Sequence, residues 1–539
     1  MILFLQSVRF LGFIILLLML PVADALSVEA EELKMQPTGL FSVDFTETNL
    51  SELRRFYSAR DYRPVWLTPK QKLLPLNIAL TFIATAEEEG LDSRDYQLQQ
   101  LKQLELRVDE TTDAWIELEL RTTHALLTLI HDLHSGRLSA STVDPDWHIP
   151  QSPFDAVAFL LEAVTSDNLH QLLNELPPKK LSYQLLKQTL ARYRELENNQ
   201  LTQIHIPDAP VIHPDTTHAL IPLIRRRMAQ AYVIDGFAEY NITQSQSLHY
   251  NDELVAAIKA FQMQHGLNAD GVIGKNTAQA LNTALAWKIR QLRLNMERLR
   301  WLPRDLDERY LLVNIAGFRL TTVERGEHVL DMRIIVGRDY RSTPSFSSHV
   351  SHVILNPYWN VPASIARKDL LPKQKKDPTY FSREGIKIYS GYDYDAAALD
   401  PESIDWHAIN KGFPYVLRQD PGAKNALGTI KFIFSNPFDI YLHDTPSKSL
   451  FQSDIRTFSS GCIRLEKPLL LAEFTLNEQN LLTQLISQID SGKTSRINLP
   501  EPLPIYLVYI TVWVDNSQRV HFSPDIYGRD ERALNFAGW

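Results

Sequence analysis

Apolar positions recur at helical spacing from about Thr48 to Gln200. Leu80, Ile83 and Ala84 define one helix over Asn77–Glu89, which Gly90 ends. Ile116, Leu120, Leu126, Leu127 and Ile130 define a longer helix over Asp113–Ser135, stopped by Gly136. Phe159–Val164 and Tyr183–Leu196 repeat the pattern on either side of Pro177-Pro178. Residues 201–217, rich in Pro, His, Thr and Asp, read as a linker to a helix over Ala219–Tyr232. Asp252–His265 predicts an amphipathic helix carrying Leu254, Ile258 and Phe261 on one face, and a second helix starts near Lys275. Ala284–Arg300 is another such helix, made basic by Arg290, Arg293, Arg298 and Arg300; a solvated or interdomain face is the expected use of that charge.

After Pro303 the period changes from helical to extended. Tyr310–Asn314, Phe318–Glu324, Val329–Val336, Val353–Asn356, Ile430–Phe434, Ile440–His443, Ile505–Val514 and Val520–Phe522 read as strands. Between Pro362 and Val416 a long polar and helical interruption, with Lys373, Lys375 and Lys376, reads as a lid or cap on the sheet. The architecture expected is multi-domain α+β, a helical scaffold followed by a small helical module and a mostly β domain.

Composition narrows the function. A net charge of −9 argues against a nucleic-acid binder dominated by phosphate contacts. The single cysteine, Cys462, excludes an intramolecular disulfide, a Cys-rich zinc module and an iron–sulfur cluster. Arg9, the 11-residue apolar run Phe10–Leu20, Pro21 and Ala23-Asp24-Ala25 predict a secretory signal peptide cleaved after Ala25, an uncleaved anchor being the alternative. No cysteine follows the run to carry a lipid, and no other segment reads as a membrane span. In an oxidising compartment a bystander thiol gains nothing, which favours a task for Cys462. His131 and His134, and His349 and His352, lack a third ligand, so no metal and no cofactor is expected.

Ala260-Phe261-Gln262, Gly266-Leu267, Asp270-Gly271, Gly274 and Thr277 form one helix–loop–helix constellation, whose loop glycines a generic hairpin does not need. It resembles the peptidoglycan-binding module appended to cell-wall enzymes. That resemblance makes Phe261, Gly266, Asp270, Gly271 and Gly274 its candidate wall-contacting residues.

Cys462 lies in Ser459-Ser460-Gly461-Cys462-Ile463-Arg464, and His443 ends an extended run 18 residues upstream. A thiol needs a base or a positive neighbour to become a thiolate. His443 offers the base if the loop folds back, and Arg464 the charge. Gly461 allows a sharp turn and N–H groups aimed at an oxyanion. Taken singly, Cys462 reads equally as a buried hydrophobe and His443 as a strand end. In order, however, His443, Phe451, Arg456, Ser459, Gly461, Cys462 and Arg464 resemble the signature of the L,D-transpeptidase catalytic domain. Three upstream segments match it too: Ile335-Val336-Gly337-Arg338 with Thr343-Pro344, Asn356-Pro357-Tyr358-Trp359-Asn360-Val361-Pro362, and Pro421-Gly422 with Asn425-Ala426-Leu427-Gly428. Two departures stand out: Ser460 replaces a common His, and Asp444 a common Gly after His443. They leave open whether a main-chain carbonyl or Ser460 orients His443.

The resemblance implies acyl transfer on peptidoglycan stem peptides. Cys462 is the nucleophile, His443 the base, and Ser460, Gly461 and Cys462 surround the oxyanion. Ser459, Arg464, Tyr441, Phe451, Arg456, Asn356 and Trp359 are the candidate substrate contacts. A tetrapeptide donor loses D-alanine, and an acceptor-stem amine resolves the thioester into a 3→3 cross-link. Alternatives are an L,D-carboxypeptidase, a relative that attaches a lipoprotein, and a non-catalytic wall-binding scaffold. Implied partners are stem peptides and glycan strands, with penicillin-binding proteins or glycan synthases as docking candidates; no nucleic acid and no stable membrane span after cleavage are expected. The implied location is the periplasm of a Gram-negative envelope. The expected division is a signal peptide at 1–25, a scaffold at 26–235, the wall-binding module at 236–285, a connecting helix at 286–307 and the catalytic domain at 308–539, its cap at about 363–415.

Overall fold

A computed structural model of the chain describes residues 47–539, apart from 69–70, 73, 108–111, 167, 209, 236–245, 411 and 478–480. The predicted signal peptide, 1–25, lies outside the described residues. No helix among the described residues is long and apolar enough to cross a membrane. The chain divides into two compact units. Among the described residues, one holds 47–139, 151–194 and 292–301; the other holds 140–150, 195–291 and 302–539.

The first unit is helical, as its periodicity predicts. The helix Thr112–Ser135 is its longest and ends at Gly136, whose φ of +91° suits a residue without Cβ. Phe56, Trp66, Ile83, Leu101, Leu126, Ile130 and Leu160 are in its core. Glu119 is fully buried but satisfied, accepting the N–H groups of Val65 at 2.6 Å and Trp66 at 2.9 Å. The basic stripe on helix Leu285–Arg300 is not a solvated face in its second half. Arg298 and Arg300 are buried, and Arg300 pairs with buried Glu297 at 2.7 Å. Arg300 also reaches the Glu89 carbonyl at 2.9 Å, and Arg293 the Gly90 carbonyl at 2.8 Å. These carbonyls follow the helical stretch ending at Glu87 and suit cationic donors.

In the second unit, helices Asp252–Gln264 and Lys275–Asn282 form the predicted module. Its core also takes Ile206, Ile212, Ile224 and Met228, so the boundary expected at 235 falls inside one hydrophobic cluster. The supposed linker is a working part of it: Ile212 and Ile273 exchange main-chain hydrogen bonds at 3.1 and 3.0 Å. Two short helices bury too little surface alone, and residues 201–235 supply the missing cover.

The β domain is built on β1 (Arg309–Asn314), β2 (Arg319–Glu324), β3 (Glu327–Gly337), β4 (Phe346–Leu355), β8 (Ile430–Phe434), β9 (Leu442–His443), β10 (Thr457–Ser459), β11 (Ile463–Leu465) and β12 (Ser495–Val508). Their order is β10-β3-β11-β9-β8-β4-β12-β1-β2, and β2 pairs back onto β3, so the sheet closes on itself. The expected strand Val353–Asn356 is the end of the longer β4, whose first half is masked in sequence by Ser347, Ser348, His349 and Ser351. The predicted strand Ile505–Val514 is two strands, the end of β12 and a short Val512–Val514. Pro500, Pro502 and Pro504 hid the start of β12, where the register shifts between Asn498 and Leu503.

The interruption is a subdomain with its own core. β5 (Trp359–Val361), β6 (Ile386–Tyr389) and β7 (Val416–Gln419) form a separate sheet in the order β5-β7-β6. Val361, Leu370, Leu371, Phe381, Ile388, Trp406 and Leu417 pack against it. The cap thus begins and ends a few residues outside the expected 363–415. Its first helical stretch passes through a π-turn at Ala366–Leu370, a local widening that is common at functional sites.

Candidate active site

Strand alternation assembles the site. Phe432 on β8, Leu442 on β9, and Ile463 and Leu465 on β11 point into the core. The alternate residues Lys431, Tyr441, His443, Cys462 and Arg464 line a cleft of about 470 Å³ beneath the cap. β9 and β11 run parallel with His443 opposite Arg464, and β8 places Lys431 opposite His443. The loop entering β9 is fixed by Asn436, whose amide donates to the carbonyls of Phe434 at 3.0 Å and Ile440 at 2.8 Å.

The His443 question has a definite answer. Its Nδ1 lies 2.5 Å from the Asp444 carbonyl oxygen, which can only accept, so Nδ1 carries the proton and Nε2 is left with its lone pair. Asp444 is occupied elsewhere: its carboxylate accepts the Thr429 N–H at 2.9 Å and hydroxyl at 3.0 Å and pairs with Lys448 at 2.5 Å. A Cβ at Gly428 would meet that carboxylate, which accounts for the glycine there. Burial, with Arg464 adding its charge, pushes the His443 pKa down to about 3. Burial raises the Cys462 thiol, against hydrogen bonds from Tyr441 and the charges of Lys431 and Arg464. Unliganded, the pair is a neutral thiol and a neutral imidazole.

The turn before Cys462 is held from three sides. Gly461 has a φ of +116°. Thr343 Oγ1 accepts the Gly337 N–H at 3.0 Å and donates to the Gly461 carbonyl at 2.8 Å, which ties the upstream motif to the cysteine loop. Ser459 Oγ donates to the Cys462 carbonyl at 2.5 Å and accepts the Gly461 N–H at 3.1 Å. The Gly461 N–H is therefore engaged, which corrects its expected place in the oxyanion hole. The N–H groups of Ser460 and Cys462 have no acceptor among the described residues and remain available. Ser460 does not touch the base; its Oγ accepts from Arg341 Nη1 at 2.9 Å. That same nitrogen lies 2.5 Å from Asp369 on the cap.

The cleft is cationic. Arg338, Arg341, Lys373, Lys431 and Arg464 line it, against Asp369 and Asp439. Arg464 Nε and Arg341 Nη2 are buried with no hydrogen-bond partner among the described residues, a state that a bound carboxylate relieves. A second opening of about 280 Å³, with Asp146, Asp439 and Arg341 in its wall, also reaches Cys462, Gly461 and Ser460; Asp439 and Arg341 are shared with the cleft. Asp146 comes from the segment 140–150, which docks by Trp147 pairing with Ser345 and by Asp146 bonding Ser342 at 2.8 Å and Arg529 at 2.9 Å.

Of the expected substrate contacts, Ser459, Arg464, Tyr441 and Trp359 line the cleft. Three do not. Phe451 is buried. Arg456 is spent on the carbonyls of Ile334 at 3.2 Å, Ser453 at 2.8 Å and Phe318 at 3.3 Å. Asn356 donates to the carbonyls of Gln488, Ile489 and Lys493 at 3.2, 3.0 and 3.2 Å, where helix Leu481–Asp490 ends. These residues match the signature because they hold the scaffold of the site. Lys431, Arg341, Asp369 and Asp146 were missed; no local pattern marks them.

In the module, Phe261 is fully buried, its ring 3.9 Å from that of His265, and is core rather than a wall contact. Gly266 and Gly271 have φ of +67° and +79°. Gln262 is the hub: its amide donates to Asp270 Oδ1 at 3.1 Å, the Val272 carbonyl at 2.9 Å and Thr277 Oγ1 at 3.1 Å, and accepts the Gly271 N–H at 2.8 Å. Gly274 opens the second helix as its N-cap. Among the described residues no three His, Cys, Asp or Glu side chains are grouped to hold a metal.

Known proteins bear on this geometry. Residues 308–486 match the family model of the L,D-transpeptidase catalytic domain, 235–281 that described as "Putative peptidoglycan binding domain", and 51–190 a "Scaffold domain". A Haemophilus influenzae protein named "Putative L,D-transpeptidase" is 40% identical over 248 residues, 46% of this chain and 49% of the relative. The chain thus spans about half the length of that curated relative. A crystal structure of an L,D-transpeptidase from Xylanimonas cellulosilytica is 14% identical, covering 56% of this chain and 100% of its own, at a TM-score of 0.18. One from Stackebrandtia nassauensis is 12% identical, covering 57% and 97%, at 0.22. Those scores are too low to compare folds. Residues 308–486 are thus similar to L,D-transpeptidase catalytic domains, with a helical scaffold-like region and a region similar to peptidoglycan-binding modules before them.

Proposed function

We propose that this chain is a periplasmic peptidoglycan L,D-transpeptidase in which Cys462 is the nucleophile. The observation that carries the reading is that Cys462 lines two openings that share Arg341 and Asp439, a cleft under the cap with five cationic side chains and a smaller mouth to which Asp146 adds a second carboxylate. A carboxylate-bearing donor stem suits the first, and an ammonium-bearing acceptor suits the second.

The donor's carboxylates settle on Arg464 and Arg338. They offset the positive charge that, with burial, holds the His443 pKa down, so the base strengthens when substrate is present. His443 Nε2 then takes the thiol proton, and the sulfur attacks the carbonyl of the third stem residue. The oxyanion is met by the N–H groups of Ser460 and Cys462. The carbon–nitrogen bond breaks, and D-alanine leaves with its amine protonated by His443. The acceptor's amine attacks the thioester, its proton passes to His443, and the carbon–sulfur bond breaks to give a 3→3 cross-link and the free thiol. The cap keeps water from the thioester while the acceptor arrives.

The test is incubation with a disaccharide-tetrapeptide and mass spectrometry of the products, beside Cys462→Ala. A dimer of twice the substrate mass less one D-alanine, absent from the control, is expected. D-alanine release without dimer makes the protein a carboxypeptidase, and no Cys462-dependent product removes the enzymatic reading.

A further inference from the structure

The cleft does not stop at the stem-peptide site. Tyr358, a lining residue of the cleft, is 42% exposed. The Arg418 guanidinium lies over the rings of two tyrosines, 4.4 Å from the centroid of Tyr358 and 4.4 Å from that of Tyr394. Tyr389 buttresses Tyr394 edge-on at 5.3 Å. Next to this stack Tyr392 is 82% exposed, in the run Gly391-Tyr392-Asp393-Tyr394-Asp395, where both aspartates are exposed. Tyrosines held apart from the cap's own core, at the rim of a catalytic cleft, are a binding feature rather than a packing one.

Charge decides what they bind. Asp393 and Asp395 repel the carboxylates that the cationic cleft attracts, and Arg418 is turned to Asp420 at 3.4 Å. A neutral ligand with apolar C–H faces and hydroxyl edges fits: sugar rings stack on tyrosines, and their hydroxyls donate to carboxylates. With the third-residue carbonyl at Cys462, three residues and a lactyl link separate the reacting centre from the sugar. At about 3.3–3.6 Å per residue, and as much again for the lactyl link, that is roughly 14 Å, which carries the sugar out of the cleft towards its rim. We propose that the tyrosine ridge of Tyr358, Tyr394 and Tyr392 around Arg418 binds the disaccharide of the donor muropeptide. The inference rests on the transpeptidase reading for the identity of the donor.

The test compares free tetrapeptide with disaccharide-tetrapeptide as donors for the full chain. The wild type is expected to prefer the disaccharide form by about tenfold in kcat/KM. Tyr392→Ala combined with Tyr394→Ala removes that preference and leaves the rate on free tetrapeptide unchanged. Tyr392→Ala alone, at an exposed side chain, gives a partial loss and serves where the double variant fails to fold. Equal use of both donors by the wild type overturns the proposal, as does an equal loss on both donors in the variants. If neither donor turns over, it is the transpeptidase reading that fails. The ridge is then judged by calorimetry of a neutral N-acetylglucosamine tetrasaccharide with Cys462→Ala: affinity lost with Tyr392→Ala supports it, and unchanged affinity overturns it.

Discussion

Asp369, in the π-turn of the cap, lies 2.5 Å from Arg341, whose same nitrogen donates to Ser460 at 2.9 Å beside Cys462. The position of the cap and the loop of the candidate nucleophile are joined through one guanidinium. Asp369→Asn removes the charge and keeps the shape. It is expected to raise the donor KM several-fold and to shift products from dimer towards D-alanine release, because a loosened cap admits water. The dimer-to-hydrolysis ratio by mass spectrometry checks this; an unchanged ratio separates the cap from water exclusion.

Ser459 bridges its own loop by accepting the Gly461 N–H and donating to the Cys462 carbonyl. Ser459→Ala leaves a buried N–H without a partner, at about 1–3 kcal/mol. We expect a folded protein with a slower acylation rate and a lower melting temperature, read by circular dichroism and single-turnover kinetics.

Arg464 is half-buried, and its Nε is buried without a partner among the described residues. Arg464→Gln is expected to raise the donor KM by at least tenfold, since a carboxylate loses its charged partner. It also relieves His443 of the positive neighbour that, after burial, does most to lower its pKa. The acid limb of the kcat/KM profile should therefore move to higher pH, a readout that simple loss of packing does not give.

His443 and His265 both have pKa values of about 3 because they are buried. An unfolded histidine titrates near 6.5, so below that pH the unfolded chain binds protons that the folded chain refuses. Stability conferred by this difference is full above about pH 6.5 and is lost as pH falls towards 3. At pH 5 each histidine costs up to about 2 kcal/mol. Urea melts at pH 7.5 and 5.0 should show the loss, and His265→Phe should flatten the slope; a pH-independent midpoint contradicts it.

Gln262→Leu removes four hydrogen bonds from the module's loop at once. It should abolish cosedimentation with purified sacculi while Cys462 still reacts with iodoacetamide, because the loop lies in another part of the chain. Retained cosedimentation would place wall binding outside this loop.

Much was legible along the chain. The helix stop at Gly136 and strands β1, β2 and β8 follow from periods of 3.6 and 2. β12 and the first half of β4 were not, because prolines and serines there mimic loops and only pairing with neighbours makes them strands.

The signature residues divide in the same way. Sequence alone placed His443 at the end of one extended run and Cys462 and Arg464 at the start of the next element, and marked a sharp turn at Gly461, whose φ is positive. It could not tell a residue that faces the cleft from one that holds its frame. Arg456 and Asn356 donate to distant carbonyls, and Phe451 and Phe261 are packed in cores. Nor could it place Lys431, Asp369 or Asp146, which reach the site from a neighbouring strand, the cap and a segment some three hundred residues upstream. Local chemistry is written in spacing of a few residues. Which side chains share a cavity is decided by closure of the sheet and docking of the cap, where burial and unpaired polar atoms set the energies.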